Sequence, residues 1–231
     1  AAGNQVDVAA SDLPGSGTNN DPYQISNASE LQAMEDDLSA NYTLVSDVDA
    51  AETESWNGGG FEPIGNDTTA FTGSFDGQGH SISNLTIDRS GTANVGLFGI
   101  VGEWGGDGGT VSNVSLHDVN VTGTYNVGSL VGSHTEGTLR NVSASGNVTG
   151  VSSTTDDANR IGGLVGFSRG TITDASATAS VTGSELVGGL VGFNTNPGLV
   201  TNASASGTVS GSVDVGGLAG FNENIVTNAT A

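Results

Sequence analysis

A glycine-rich pattern returns five times in this chain, and a chain that repeats at such intervals builds its core by stacking like units. The copies are Val95-Gly96-Leu97-Phe98-Gly99, Val127-Gly128-Ser129-Leu130-Val131-Gly132, Ile161-Gly162-Gly163-Leu164-Val165-Gly166-Phe167, Val187-Gly188-Gly189-Leu190-Val191-Gly192-Phe193 and Val215-Gly216-Gly217-Leu218-Ala219-Gly220-Phe221. Their leucines, 97, 130, 164, 190 and 218, are spaced by 33, 34, 26 and 28 residues. A second motif travels with the first. It places Asn113, Asn141, Asp174, Asn202 and Asn228 at one recurring position, each inside a short Thr/Val/Ser run, and Asn84 belongs to an early relative of it.

Each repeat holds three short runs suited to strands: the Gly-Leu-Val-Gly run, a Thr-Ile-Thr-Asp run and a Val-Thr-Gly run. Apolar and small polar residues alternate in the last two, as in half-buried strands. No repeat holds ten residues at helical spacing, which excludes tetratricopeptide and ankyrin arrays, and the Trp-Asp signature of propellers is missing. The fold class expected is therefore all-β, a parallel β-helix (β-solenoid) with one coil per repeat and coils about 4.8 Å apart. The leucines should point inward as a ladder, with glycines where a side chain would block close approach. The Asn column should form a ladder of hydrogen bonds along the stack.

The Gly-Gly-Leu-Val-Gly repeats resemble the GLUG motif family of secreted and surface repeat proteins. The N-terminal part resembles the region that often precedes such repeats, through Asp21-Pro22-Tyr23-Gln24-Ile25, Phe61-Glu62-Pro63-Ile64-Gly65 and Phe71-Thr72-Gly73-Ser74-Phe75-Asp76-Gly77. The resemblance implies a β-helical surface module and carries no catalytic residue set. Three segments are expected: a loose polar lead-in over 1–20, with a linker over 11–21; an N-terminal cap and irregular first coils over 21–90; and GLUG-type repeats over 91–231. The one credible helix, 29–38, has Ser29 as its cap and Leu31, Met34 and Leu38 as its apolar stripe, and serves to cover the first coil. At the other end no altered repeat follows Asn228-Ala229-Thr230, so the last coil is expected to pair with copies of the chain or with other surface proteins.

Function is bounded mainly by charge. The formal charge is −21, the only basic residues besides three histidines are Arg89, Arg140, Arg160 and Arg169, and there is no lysine or cysteine. Such a chain repels nucleic acid and anionic lipid, and its acidity is that of a halophilic protein. No apolar run reaches membrane-spanning length, and Ala1-Ala2 fits a mature N-terminus left by signal cleavage. Lyase chemistry lacks its lysine, His80, His117 and His134 lack zinc-ligand spacing, and no nucleophile elbow is present. No catalytic, cofactor or metal residue is assigned and no enzyme activity is expected. The acidic residues Glu35, Asp36, Asp37, Asp47, Asp49, Glu52, Glu54 and Glu62 lack EF-hand spacing and read as solvated loops. Asn-X-Ser/Thr sequons make Asn27, Asn41, Asn66, Asn84, Asn113, Asn120, Asn141, Asn147, Asn202 and Asn228 glycosylation candidates, with Asn66, Asn120 and Asn147 expected to be the more exposed. The favoured reading is an extracellular structural or adhesive surface module, an adhesin or filament subunit. The alternatives are a glycan-binding module, for which Trp56, Trp104 and Tyr125 are the candidate exposed aromatics, and a polysaccharide-active β-helix enzyme.

The charge of −21 makes a direct prediction. Mutual repulsion is unscreened at low salt and screened within about 3 Å at 1 M, so the thermal midpoint should rise steadily from millimolar to molar KCl. A midpoint independent of salt would remove the halophilic reading.

Overall fold

The computed structural model describes residues 8–151 and 159–231, of which about half lie in strands, with few and short helices. The paired strands lie parallel in three sheets. One sheet of five holds Ala93–Val95, Tyr125–Val127, Ile161–Gly162, Glu185–Gly188 and Val213–Gly216, and another holds Phe98–Val101, Val131–His134, Val165–Ser168, Val191–Asn194 and Ala219–Asn222. The third is a long sheet of thirteen strands running from Tyr23–Ile25 through Asn41–Leu44, Ser74–Asp76, Gly109–Gly123, Gly137–Gly150, Thr171–Ala177 and Leu199–Ala205 to Ile225–Thr230. In the repeats, each turn of chain visits the three sheets in the same order and pairs with the turns before and after it. We call one such turn a rung. Ser74–Asp76, Ser81–Ser83 and Thr86–Asp88 all pair with Gly109–Gly123, so hydrogen bonding is continuous across residue 90.

Register places like upon like. Val111, Leu139, Ile172, Val200 and Val226 form one column, and the first four are at most 1% exposed. Within a long-sheet strand, buried positions are first three and then two apart: Ile172, Ala175 and Ala177, then Val200, Ala203 and Ala205 one rung on. The reason is the Asn/Asp position between them. Asn113, Asn141, Asp174, Asn202 and Asn228 all have φ between 50° and 55°. Such a left-handed residue turns the strand and puts two consecutive side chains outside. Asn and Asp are the L-residues that adopt this conformation most readily.

The Gly-Leu-Val-Gly run is not one strand, as its composition predicts, but the arc between the two five-stranded sheets. In the fourth copy Val187 and Gly188 end one strand, Gly189 and Leu190 make the bend, and Val191, Gly192 and Phe193 open the next. Leu97, Leu130, Leu164 and Leu190 are fully buried in that bend, each contributing about 2 kcal/mol of apolar transfer. The backbone of the bend is bonded between rungs: the Leu190 carbonyl accepts from the N–H groups of Leu164 (2.9 Å) and Val165 (3.0 Å). The glycines keep the two sheets close. A Cβ on Gly132, Gly166, Gly192 or Gly220 would fall within 2.4 Å of backbone at residues 94–95, 126–127, 160–161 and 186–187, respectively. A Cβ on Gly162, Gly188 or Gly216 would fall within 2.0 Å of the carbonyl three residues on.

The N-terminal part is built differently. Its core is aromatic, with Phe71 and Phe75 at 4.9 and 5.7 Å from Phe98 and Trp56 stacked at 6.1 Å on Phe61. The helix is shorter than its apolar spacing predicts. It spans Ala28–Gln32, is capped by Asn27 rather than Ser29, and passes into a 3-10 turn, Ala33–Asp36, that stops before Leu38. Ser26 selects this start: its N–H and hydroxyl both donate to the Glu30 carboxylate (2.7 and 2.8 Å), while the Asn27 side chain accepts from the Glu30 N–H. Leu31 and Met34 are fully buried, as expected. The loose lead-in is also corrected. Residues 1–7 of it lie outside the described residues, but Ala10 and Leu13 are buried in the core, and the Pro14 and Gly17 carbonyls accept from Gln24 and Asn41. The lead-in thus bonds to Tyr23–Ile25 and Asn41–Leu44, the first two strands of the long sheet.

The arc yields a mutational test. A Cβ at Gly189 would stand 2.0 Å from the Gly217 carbonyl oxygen. At the same place in an earlier rung Ser129 is fully buried and its hydroxyl donates to the Gly163 carbonyl at 2.6 Å. Gly189→Val should cost about 3 kcal/mol by overpacking and Gly189→Ser clearly less, in urea melts at fixed high salt. Equal losses would show that the bend does not discriminate by hydrogen bonding.

Candidate functional site

The outer face of the long sheet carries the Asn column. Asn141 donates its amide to Asn113 Oδ1 (2.9 Å) and Asn113 to Asp76 Oδ1 (3.0 Å). Asn228 donates to Asn202 (3.2 Å) and Asn202 to Asp174 (3.1 Å). The ladder is thus two runs, each starting on an aspartate. A carboxylate accepts but cannot donate, so Asp174 opens a new run instead of extending the old one. Two shorter runs follow the same rule: Asn84 donates to Asp49, and Asn126 to Asn94 and Asn94 to Asp67. The Asn84 amide, together with the Ala51 N–H, holds the Asp49 carboxyl below its ordinary range.

Hydrogen bonding, more than exposure, separates the ten sequons. Asn84, Asn141, Asn202 and Asn228 are exposed, while Asn41 and Asn113 are half-buried. The amide nitrogens of Asn84, Asn113, Asn141, Asn202 and Asn228 are spent in the runs above, and that of Asn41 donates to the Gly17 carbonyl (3.1 Å). Asn27 uses its side-chain oxygen to cap the helix. Asn66, Asn120 and Asn147 are exposed as expected. Asn120 and Asn147 face each other across neighbouring rungs.

The titratable groups are scattered. His80 lies 3.3 Å from Asp47, His117 is exposed, and His134 is fully buried against Ser168 at 3.3 Å. Gly170 makes room for the His134 imidazole, since a Cβ there would stand 2.3 Å from the ring. Burial pushes the His134 pKa down to about 4, opposed only by a backbone hydrogen bond at Gly137. Burial and then the neighbouring Glu62 carboxylate push Glu35 up to about 7. Among the described residues no three His, Cys, Asp or Glu side chains gather as a metal ion would require.

The three candidate aromatics part company. Trp56 is 6% exposed and belongs to the core, so it presents no outer platform. Tyr125 is half-buried under the Arg160 guanidinium, 4.6 Å from its ring, and Arg160 also covers Phe167 at 4.9 Å. Trp104 alone of the three stands out, 70% exposed. Arg169 packs 3.5 Å from its ring centroid and is itself held by Glu136 (3.6 Å) and the Asn196 carbonyl (3.3 Å). Trp104 borders a cleft of about 280 Å³, lined also by Asn66, Asp67, Thr68, Glu103 and Thr135. Composition could not have singled out this tryptophan; the cleft forms from segments some 35 residues apart.

Comparison with known proteins follows the same repeat. The model of the GLUG motif matches residues 123–149, 157–182 and 183–210. The chain carries GLUG repeats. The segment 123–149 runs from the bend before one five-stranded sheet, through the arc, to the end of the long-sheet strand; one GLUG repeat is one rung. The copies around Leu97 and Leu218 lie outside the matched segments and pair with the GLUG rungs in the same way. Halomucin of Haloquadratum walsbyi is 42% identical over 214 residues, covering 77% of this chain and 2% of that protein. A protein of Evansella cellulosilytica named as a Gly-rich membrane protein is 36% identical over 113 residues, covering 48% of this chain and 12% of its own length. The chain thus spans a small part of each relative. A Bacteroides ovatus crystal structure named for an immunoglobulin A1 protease superposes with a TM-score of 0.71 over 90% of this chain and 64% of its own, at 22% identity. At that identity the likeness is one of fold. No described helix is long and apolar enough to cross a membrane.

His134, inside a GLUG rung, gives a pH prediction. Its folded pKa of about 4 lies below the ordinary 6.5, so the unfolded chain takes the proton first. The stability associated with neutral His134 is complete above pH 6.5 and is lost as pH falls from 6.5 towards 4, by roughly 3 kcal/mol at about 1.4 kcal/mol per pH unit. Glu35 acts in the opposite sense over an overlapping range. The contrast should therefore be read as wild type against His134→Val, since Val101 fills the aligned position one rung earlier. Wild type should lose ground to the variant between pH 7 and 4; a constant difference would contradict a buried neutral imidazole.

Proposed function

We propose that the chain winds as a parallel β-solenoid and serves as a structural and adhesive segment of an extracellular surface protein in a high-salt environment, without catalysis of its own. The observation that carries this is the unbroken stacking of GLUG rungs, with columns of hydrogen bonds running along the stack and a chain charge of −21 outside. Such a stack is quasi-one-dimensional and its stability is additive in rungs, which suits a spacer or filament element. The likeness to halomucin of Haloquadratum walsbyi supports both surface location and salt adaptation. Val213, Val215, Phe221 and Ile225 of the last rung are between 42% and 55% exposed. A further rung of the same kind, whether of this protein or of another, would cover them, and association of surface proteins through stacked rungs belongs to the proposal. Asn120 and Asn147 are the positions we assign to glycans, because they are exposed outside the ladders.

Protease shaving of intact native cells in molar salt, followed by mass spectrometry, tests the reading. Peptides of the GLUG rungs should be released without lysis, and those containing Asn120 or Asn147 should carry hexose mass. Recovery only after lysis would overturn the surface assignment; unmodified Asn120 and Asn147 in shaved peptides would overturn the glycan assignment alone.

A further inference from the structure

The cleft at Trp104 opens beside Asp67, which ends a ladder run, and Thr135, which bonds the rung before it, and its chemistry is that of a small-molecule site. We infer that it is a subsite for a neutral hexopyranose unit of a polysaccharide. This goes beyond the surface role proposed above and does not depend on it.

The indole supplies the platform. Arg169 lies 3.5 Å from the ring centroid, and the Arg169 side chain is only 15% exposed. One face of the ring is thus backed by a nearly buried cation that is itself tied to Glu136 and the Asn196 carbonyl. With the residue still 70% exposed, the opposite face is open to solvent. A large apolar plane held firm from behind and wet in front is expensive to leave uncovered. A pyranose ring, with C–H groups on one face and hydroxyls around its rim, fits such a plane.

The rest of the lining supplies the polar partners. Asn66 Oδ1 is occupied by the Thr68 and Thr69 N–H groups (2.9 and 3.3 Å), which fixes the side chain. Asp67 is fixed by the Asn94 amide on Oδ1 (2.8 Å). The remaining groups on the lining residues are the Asn66 amide nitrogen, the second Asp67 oxygen, the Thr68 hydroxyl and the Glu103 carboxylate, around a space of about 280 Å³. Two carboxylates accept from sugar hydroxyls, and an amide and a hydroxyl can donate back. A few oriented polar groups beside an apolar wall are the usual makeup of a ligand pocket. The same two carboxylates select against charge. The cleft lining contains no basic side chain, and Arg169 is spent behind the indole, so a uronate or sulfated sugar would meet unpaired negative charge. Asn66 is also a sequon, and a glycan there would fill the cleft, so the two uses exclude each other.

The test uses the full chain, made in a host that does not glycosylate it, in 2 M KCl. The chain has two tryptophans, and only Trp104 is exposed, so indole emission reports on the cleft. Gluco-, galacto- and manno-trisaccharides are titrated against tri-galacturonate. One neutral trisaccharide should bind saturably with Kd near or below about 1 mM, shifting the emission to the blue, while tri-galacturonate should not. Calorimetry should show at least about tenfold weaker binding for Trp104→Ala, or about 1.4 kcal/mol, with an unchanged melting midpoint. Should that variant lose stability, Asn66→Asp keeps the indole and replaces a donor with a charge, and it too should bind at least about tenfold more weakly. No saturation by any neutral trisaccharide, undiminished binding in Asn66→Asp, or tighter binding of tri-galacturonate would each overturn the inference.

Discussion

Everything in the repeats depends on the backbone contact at the arc leucine. One carbonyl, at Leu164, Leu190 or Leu218, accepts two N–H groups from the rung before it, at 2.8 to 3.2 Å. That bond pair is possible only if the strands on either side of the bend come close enough for backbone to meet backbone, and this is what the glycines at 162, 166, 188 and 192 permit. The leucine side chain is then placed inside by the bend itself. Removing a Cβ is therefore the enabling step and hydrophobic burial the consequence, which is why the motif conserves its shape from copy to copy while its aliphatic residues interchange Val, Ile and Ala.

Much of this was legible in the amino-acid sequence because a repeat multiplies a weak signal. One Val-Gly-Gly-Leu-Val-Gly would be uninformative; five in register announce stacking, an inward leucine and an Asn ladder, and the buried leucines and bonded amides agree. What stayed hidden lies where nothing repeats. The choice of Asn27 over Ser29 as helix cap depends on Ser26 engaging Glu30, a local competition that apolar spacing does not record. The packing of Leu13 came from tertiary contact overriding a polar, glycine-rich composition. Trp56 and Trp104 have similarly acidic, glycine-rich neighbours in sequence, yet one stacks on Phe61 and the other on Arg169. The Thr-Ile-Thr-Asp run reads as a short strand, but Thr171–Ala177 continues past Asp174, because a residue at φ near 50° changes which neighbours face inward without ending the strand.

The candidate site was less legible than the fold. Sequons are read from three residues, but whether an amide nitrogen is available depends on the rung beneath it. The Trp104 cleft joins the 66–68 segment, residues 102–104 and Thr135, which only the stacking brings together.

The ladders also give the molecule a direction. In the columns built on left-handed residues, the amides of Asn84, Asn94, Asn113, Asn126, Asn141, Asn202 and Asn228 all donate towards the N-terminal rung and offer their oxygens towards the C-terminal one. Each of these runs is therefore vectorial, closed at its N-terminal end by a carboxylate that only accepts and open at its C-terminal end, where an amide oxygen still offers a lone pair. Two such stacks brought together by a two-fold axis would set lone pairs against lone pairs. In a head-to-tail join, the open amide oxygen of one column finds a donor only where the incoming rung carries Asn at that position, whereas an Asp there starts a new run, as Asp174 does within this chain.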